Sequence, residues 1–393
     1  MSMAMKRNQA APLVDGTCPV DFVLLGIASF LLVYGLVMVG SASLEVGAKT
    51  YANAFHLLNR HVVYLCISLG IAAVALSIPI SFWQRFDGLL LGVSLFLLTL
   101  VLIPGVGREV NGSIRWISLG PFSLQGSEFV KLFVLVYMAG YLVRRKEEIE
   151  SSLSGFIKPL MVLTAIALLL LCQPDFGTSI VIIAAAIGVI YLAGIPYRFF
   201  VPLVAVCFSA VGLIATLQPY RLARLTAFAD PWEHQFGSGY QLTQALIAFG
   251  RGEWFGTGLG NSIQKLFFLP EAHTDFLFSI IAEELGVVGA GLVILLFAWL
   301  VLRGLAIGQV ARNKGLEFHA YLAYGIVLIL GIQAIVNLGV NLGVLPTKGL
   351  TLPLMSYGGN SLIVSCMMIA ILLRIDFEAR QTPTTDGRGK SNG

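Results

Sequence analysis

What this sequence has least of is charge. Only 12% of its 393 residues are Asp, Glu, Lys or Arg, whereas 57% are hydrophobic. Soluble domains carry about twice that share of charge, so a water-soluble globular fold is excluded. Cysteine is scarce as well. Cys18, Cys66, Cys172, Cys207 and Cys366 are scattered and mostly lie inside apolar runs. With no CxxC pair and no paired His or Cys spacing, neither a disulfide framework nor a zinc site is expected. There is no convincing internal repeat, which weakens the case for a transporter built from inverted halves. The net charge of +4 is too small to point to nucleic acid, and none is expected as a partner. Residues 1–17 lack the apolar core and small-residue cleavage site of a secretory signal, so the first span is expected to stay as an anchor.

What the chain does have is apolar runs of roughly 18 to 25 residues, the length a helix needs to cross a bilayer. Ten stand out: 20–42, 61–79, 87–104, 128–143, 159–173, 177–195, 198–216, 275–302, 319–341 and 355–373. The expected fold is an all-α polytopic integral membrane protein of about ten transmembrane helices. Segments 1–19 and 374–393 flank a membrane domain at 20–373, with a large extracytoplasmic loop at 217–274 between spans seven and eight. With the N-terminus in the cytoplasm, Lys6, Arg7, Arg85, Arg144, Arg145, Lys146, Lys158, Arg198, Arg303, Arg312, Lys314, Arg374, Arg380, Arg388 and Lys390 fall inside. The outside segments hold fewer cations, chiefly Lys49, Arg60, Arg108, Arg115 and Lys348, apart from four in the long loop. That asymmetry follows the positive-inside rule and places both termini in the cytoplasm.

The outer connections are unusual. Residues 104–127 are Gly-rich and carry Asn111, Arg115, Trp116 and Gln125. Residues 173–177 form a tight QPDFG corner. The 217–274 loop interleaves glycines with aromatics, and 341–360 is a Pro- and Gly-rich return into the last span. Long loops of this kind are functional or disordered, and their apolar content argues against disorder. Together they can enclose one extracytoplasmic cavity.

Several ionisable residues then call for a use or a partner. LPEAHTDFLFSIIAEELG, from Leu269, packs Glu271, His273, Asp275, Glu283 and Glu284 into the mouth of the eighth span. On position alone Asp275 reads first as a helix cap. Its company shifts the balance toward chemistry. Glu283 and Glu284, about two turns deeper, should line a cavity or pair with another helix. Glu128 and Lys131, three apart, read as a buried structural ion pair before they read as part of a site. Asp175 reads as a cap of the sixth span. Arg108 and Arg115 beside Trp116 suit a phosphorylated or carboxylated ligand at the interface, although solvated arginines beside an interfacial Trp explain them equally well. Lys348 and Ser356 flank Pro353 in a broken segment, tolerated at membrane depth only where it is buried in protein or lines a wet cavity. Two motifs are discounted. Gly256–Gly260, GTGLG, follows no strand and fits neither a dinucleotide fingerprint nor a P-loop. Gly339 with Gly343 is background small-residue spacing.

Read together, four segments resemble the SEDS family of bacterial cell-wall polymerases. They are NGSIRWISLGPFSLQGSEFVKL from Asn111, QPDFGTSIV from Gln173, the long stretch from Arg221 through AHTDF to EELG, and GVLPTKGLTLPLMSYGGNSL from Gly343. They occur in the family's order over nearly the whole chain, and PTKGLTLPLMSYGG resembles the division branch more than the elongation branch. Gly126 stands where the family usually has proline, and Asn360 where serine is commoner.

The resemblance implies peptidoglycan glycosyltransferase activity on lipid II, at the division septum of a bacterial cytoplasmic (inner) membrane. It also implies that Asp275 is the catalytic residue. Implied partners are an FtsI-type class B penicillin-binding protein transpeptidase and other division proteins such as the FtsQ–FtsL–FtsB complex, besides membrane lipids. A carboxylate at the outer interface can take the proton of the acceptor sugar hydroxyl if its pKa is raised toward neutral. The leaving pyrophosphate needs cationic partners. Arg108, Arg115 and Lys348 are candidates, with Trp116, Ser356 and His273 as further substrate contacts and a divalent cation (Mg or Mn) as an additional charge. No organic cofactor is expected. A lipid II flippase and a non-catalytic division scaffold are the alternatives. Alternating access would spread polar residues to the midplane and both sides, whereas here they gather outside.

Overall fold

The computed structural model describes residues 20–383 apart from 111, 121, 152, 195–196 and 217–218. Cys18, Asn111, the expected cytoplasmic segment 1–19 and the tail from 384 onward lie outside the described residues. In chain order the elements are α1 (Phe22–Tyr51), α2 (His56–Ser77), α3 (Ile80–Arg85), α4 (Asp87–Val101), β1 (Gly107–Val110), β2 (Ser113–Leu119) and β3 (Phe122–Gln125). Then come α5 (Gly126–Arg144), α6 (Lys146–Ser151), α7 (Leu153–Cys172), α8 (Phe176–Leu192) and α9 (Tyr197–Thr216). The last are α10 (Pro219–Ala229), α11 (Tyr240–Gly252), α12 (Leu277–Asn313), α13 (Glu317–Asn341) and α14 (Gly359–Gln381).

Each of the ten apolar stretches coincides with a helix: α1, α2, α4, α5, α7, α8, α9, α12, α13 and α14. Among the described residues, α1, α2, α5, α12 and α13 are long and apolar enough to cross a membrane. The chain is a multi-pass membrane protein. α13 sits centrally, packed on α12, α8 and α5, while α14 packs along α2. Leucine, valine and aromatic side chains such as Val33, Phe96, Leu168 and Leu295 stay exposed on the outward faces, where lipid rather than water is their solvent.

The two ends of the bundle differ. At one, Asp21 accepts from the amides of Val23 and Leu24 to cap α1 and pairs with Arg303 at 2.6 Å. Lys314 there donates to the Ala379 and Thr382 carbonyls at 2.6 and 2.8 Å. The start of α1 and the ends of α12 and α14 therefore meet. The opposite end carries the residues that the sequence placed outside. Residues 104–127, expected only as a Gly-rich connection, contain an antiparallel meander in the order β1–β2–β3. The alternation in SIRWISL suits a strand with two unlike faces.

The eighth span departs most from expectation. It was expected to be continuous, but α12 is broken at Gly286, where φ is 66° and ψ is −165°. Such a break orphans backbone groups on both sides. The amides of Val287 and Val288 donate instead to the carbonyls of Glu253 and Trp254 at 2.9 and 3.2 Å. The carbonyls of Glu283 and Glu284 accept from the amides of Thr257 and Gly258 at 2.9 and 3.0 Å. The GTGLG run is thus spliced into the gap of a membrane helix. The contact is close enough that a Cβ on Gly256 would fall 2.1 Å from the Glu284 carbonyl oxygen.

Candidate active site

Asp275 lies two residues before α12, yet it does not cap that helix. The cap position falls on Phe276, which makes no side-chain cap. The acceptor role is taken by Asn341 of α13, whose Oδ1 receives the Ser279 amide at 3.1 Å and the Ser279 hydroxyl at 2.7 Å. Among the described residues the Asp275 carboxylate has no hydrogen-bond or ion-pair partner, while its backbone carbonyl accepts from Asn337 Nδ2 at 2.8 Å and Asn341 Nδ2 at 3.0 Å. Across from it runs the 342–358 strap. A Cβ on Gly349 would sit 2.8 Å from Asp275 Oδ2, so the strap leaves room for the carboxylate only because that residue is glycine.

Asp275 is partly open to solvent but sits among enough protein to strip much of its hydration. Burial first, and then the charge of Glu271, raises its pKa from 3.8 to about 7, against the pull of Arg115 and Arg224. It is therefore poised to exchange a proton near neutrality. His273, in the same turn, has its pKa lowered by burial, with Glu271 opposing. Its ring lies 5.3 Å from that of Tyr357, and its carbonyl accepts the Tyr357 amide at 3.0 Å. Glu271 itself accepts from the Thr274 hydroxyl at 3.0 Å.

The QPDFG corner is the floor on which distant cations converge. Asp175 caps α8 by accepting from the Thr178 amide at 3.4 Å. Arg115 reaches the corner from β2, donating to the carbonyls of Gln173 (3.3 Å) and Pro174 and lying 3.6 Å from Asp175 Oδ1. Lys348 of the strap sits over the Phe176 ring at 4.4 Å. Arg224 of α10 donates to the Thr347 carbonyl at 3.1 Å, joining the long loop to the same strap. Arg108 is brought elsewhere. It faces Trp116 across the β1–β2 pair, and alternation along β2 sets both on the opposite face from Arg115. Ser356 is buried in the strap, its hydroxyl accepting from the Leu352 amide at 3.0 Å.

The other acidic candidates are held by partners. Glu128 Oε2 pairs with Lys131 at 2.7 Å inside α5, and Lys131 also donates to Gln333 of α13 at 2.7 Å. Glu283 receives Arg251 (2.5 Å), the Ser262 hydroxyl (2.5 Å) and the amides of Ile263 (3.0 Å) and Gln264 (3.3 Å). Glu284 receives Lys265 and Ser41, each at 2.7 Å. These two glutamates hold the long loop onto α12 and α1. A groove of about 750 Å³ opens beside that attachment, lined by Val37, Leu44, Phe55, Leu58, Leu259 and Ile263 among others, and Asp275 does not line it.

Among the described residues no group of three or more His, Cys, Asp or Glu side chains could hold a metal ion. Sequence reasoning also passed over Arg224, Asn337, Asn341, Gln333 and Gly349. The three amides recur every fourth residue on α13, a polar stripe in an apolar helix, and that spacing was a usable signal. Nothing local marked Arg224 or Gly349.

The family model described as "Cell cycle protein", covering FtsW, RodA and SpoVE, matches residues 22–381. A Hahella chejuensis protein named "Probable peptidoglycan glycosyltransferase FtsW" is 53% identical over 380 residues, 96% of either chain. Its namesake from Pseudomonas fluorescens is 51% identical over 94% of this chain and 91% of its own. A chain from a peptidoglycan synthase complex that coordinates polymerization and crosslinking has a similar structure, with a TM-score of 0.73. It is 29% identical, over 92% of this chain and 99% of that one. The rod shape determining protein RodA of Thermus thermophilus gives a TM-score of 0.67 at 28% identity, over 92% and 98%.

Proposed function

We propose that this chain, which belongs to the FtsW/RodA/SpoVE family, is a peptidoglycan glycosyltransferase that polymerises lipid II during septal wall synthesis, with Asp275 as general base. The observation that carries this reading is a carboxylate that caps nothing, pairs with nothing among the described residues, and titrates near 7. A charge kept in that condition at the end of a membrane helix is poorly explained by stability alone.

In the reaction, Asp275 takes the proton of the acceptor 4-hydroxyl as that oxygen bonds to the anomeric carbon of the growing glycan. The bond from that carbon to the phosphate oxygen breaks, and the undecaprenyl pyrophosphate leaves with the electron pair. Arg115, Lys348 and Arg224 surround the QPDFG corner and the strap and supply positive charge for the departing anion. Arg108 and Trp116 serve at the rim of the sheet, Ser356 shapes the strap, and His273, kept neutral, supports the turn. A divalent cation (Mg or Mn) carried by the pyrophosphate would add to the positive charge around the departing anion. The polyprenyl tails stay in the bilayer while the headgroups react at its outer surface. The enzyme works in the inner membrane at the septum with an FtsI-type class B transpeptidase and the FtsQ–FtsL–FtsB complex.

The test is polymerisation of labelled lipid II by the purified complex with the class B partner. Asp275→Asn should lose at least about a hundredfold in rate, because it keeps the size and capping ability of the side chain but not its basicity. Normal polymer from a folded, partner-bound Asp275→Asn protein would overturn the assignment.

A further inference from the structure

The first turn of α12 takes its side-chain cap from another helix rather than from its own preceding residues. We propose that Asn337 and Asn341 of α13 are positioning residues that relieve Asp275 of the capping role and fix its carboxylate against the strap. This inference rests on Asp275 being the base.

The orientation of both amides is forced by their partners. The Ser279 amide can only donate, and it is shared between the Phe276 carbonyl and Asn341, each at 3.1 Å, so the Asn341 atom facing it is Oδ1. That leaves Asn341 Nδ2 to face the Asp275 carbonyl at 3.0 Å and the Asn337 carbonyl at 2.8 Å. Asn337 Nδ2 lies between two carbonyls, Asp275 at 2.8 Å and Leu350 at 2.6 Å, and both can only accept. One side chain therefore sets the separation between the turn that carries Asp275 and the strap that carries Gly349. One turn further along α13, Gln333 Nε2 donates to the Thr351 carbonyl at 2.9 Å, and its Oε1 accepts Lys131. The stripe thus fastens strap, turn and α5 to one rigid helix. Asn337, Asn341 and Gln333 are all buried.

The charge arrangement makes the same point. Glu271 from its own turn, Arg115 from β2 and Arg224 from α10 act on Asp275. Lys348 on the strap lies over the Phe176 ring. At this level α13 adds uncharged amides, which can hold a backbone carbonyl without shifting the carboxylate toward its charged form. A carboxylate in place of Asn341 would accept from Ser279 equally well, but it would set a second negative charge beside Asp275. An alanine there would remove the Nδ2 donor that holds the Asp275 carbonyl, loosening the turn and letting water reach the carboxylate, which favours its charged form.

The two substitutions should therefore move the titration of Asp275 in opposite directions. The experiment uses the full chain with its class B partner and has two readouts: kcat and KM for lipid II, and the pH midpoint of carbodiimide labelling at Asp275. Asn341→Ala should lower kcat by about a hundredfold with KM changed by less than about twofold, and it should lower the labelling midpoint. Asn341→Asp should lower kcat comparably and raise the midpoint. Ser279→Ala removes only the hydroxyl that helps to orient Asn341 and should give a smaller loss, about tenfold, which tests the inference should Asn341→Ala fail to fold. A purely structural role would lower yield and thermal stability and leave both midpoints at the wild-type value, and that result would overturn the inference. The underlying reading fails separately. Normal polymer from Asp275→Asn would remove the base assignment while the labelling midpoints still reported on the asparagines.

Discussion

The short helical piece between Phe276 and Gly286 carries acidic groups at both ends, and the ends are treated in opposite ways. At its far end Glu283 and Glu284 are fully buried, and both find cations, hydroxyls and backbone amides. At its near end Asp275 finds no partner for its carboxylate among the described residues, and its pKa rises. A buried carboxylate met by cations, hydroxyls and amides holds structure together. One that is desolvated without partners becomes a group that can accept and release a proton. The same residue class on the same segment thus serves attachment at one end and chemistry at the other.

The sharpest way to break the comparison is Asp275→Asn. Polymerisation should fall by about two to four powers of ten, while thermal stability at neutral pH should hold or increase. The pH dependence follows from the raised pKa. The unfolded chain releases this proton near 3.8 and the folded protein near 7, so the folded state holds it longer. The stability associated with Asp275 is complete below about 3.8 and is lost as pH rises to about 7. Thermal unfolding between those values should show a falling contribution in the wild type that is missing in the Asn variant. The polymerisation rate should rise over the same interval, because the ionised form is the base.

At the other end the expected effect is on structure. Glu284→Gln strands Lys265, whose ammonium is buried with Glu284 at 2.7 Å, and should destabilise by about 3–5 kcal/mol. Limited proteolysis within 252–268 should become faster. A Lys265→Met, Glu284→Leu pair should recover much of the loss, and a double-mutant cycle without coupling would refute the attachment role. Gly256→Ala probes the same attachment without touching charge. Its φ of +79° and its contact with the Glu284 carbonyl predict a destabilisation of about 1–3 kcal/mol and an earlier cut in the loop. Asn360→Ser should matter least. It removes the 2.8 Å bond from Asn360 Nδ2 to the Ser123 carbonyl, which ties α14 to β3, and about 1 kcal/mol is at stake in thermal unfolding.

Much of this architecture was legible because membrane helices announce themselves in composition. The ten apolar stretches coincide with ten helices, and the pairing of Glu128 with Lys131 is visible in a three-residue spacing. The break in α12 was not legible. Gly286 is one glycine among 42, and its φ is imposed by a loop some thirty residues earlier that must donate and accept in its place. The role of GTGLG was hidden for the same reason: its partners are carbonyls, which no side-chain pattern encodes. The β meander was missed because a short strand within a Gly-rich loop carries little periodic signal.

Composition and run length alone place the chain in a bilayer, mark which residues are charged within it, and set Asp275 at the mouth of a span. Apolar run length is a local property, so no packing is needed to read it. What Asp275 is free to do comes from packing. Capping and acid–base chemistry demand the same side chain at the same position. Asn341, from a helix sixty residues further on, occupies the capping acceptor site and leaves the carboxylate without a structural task.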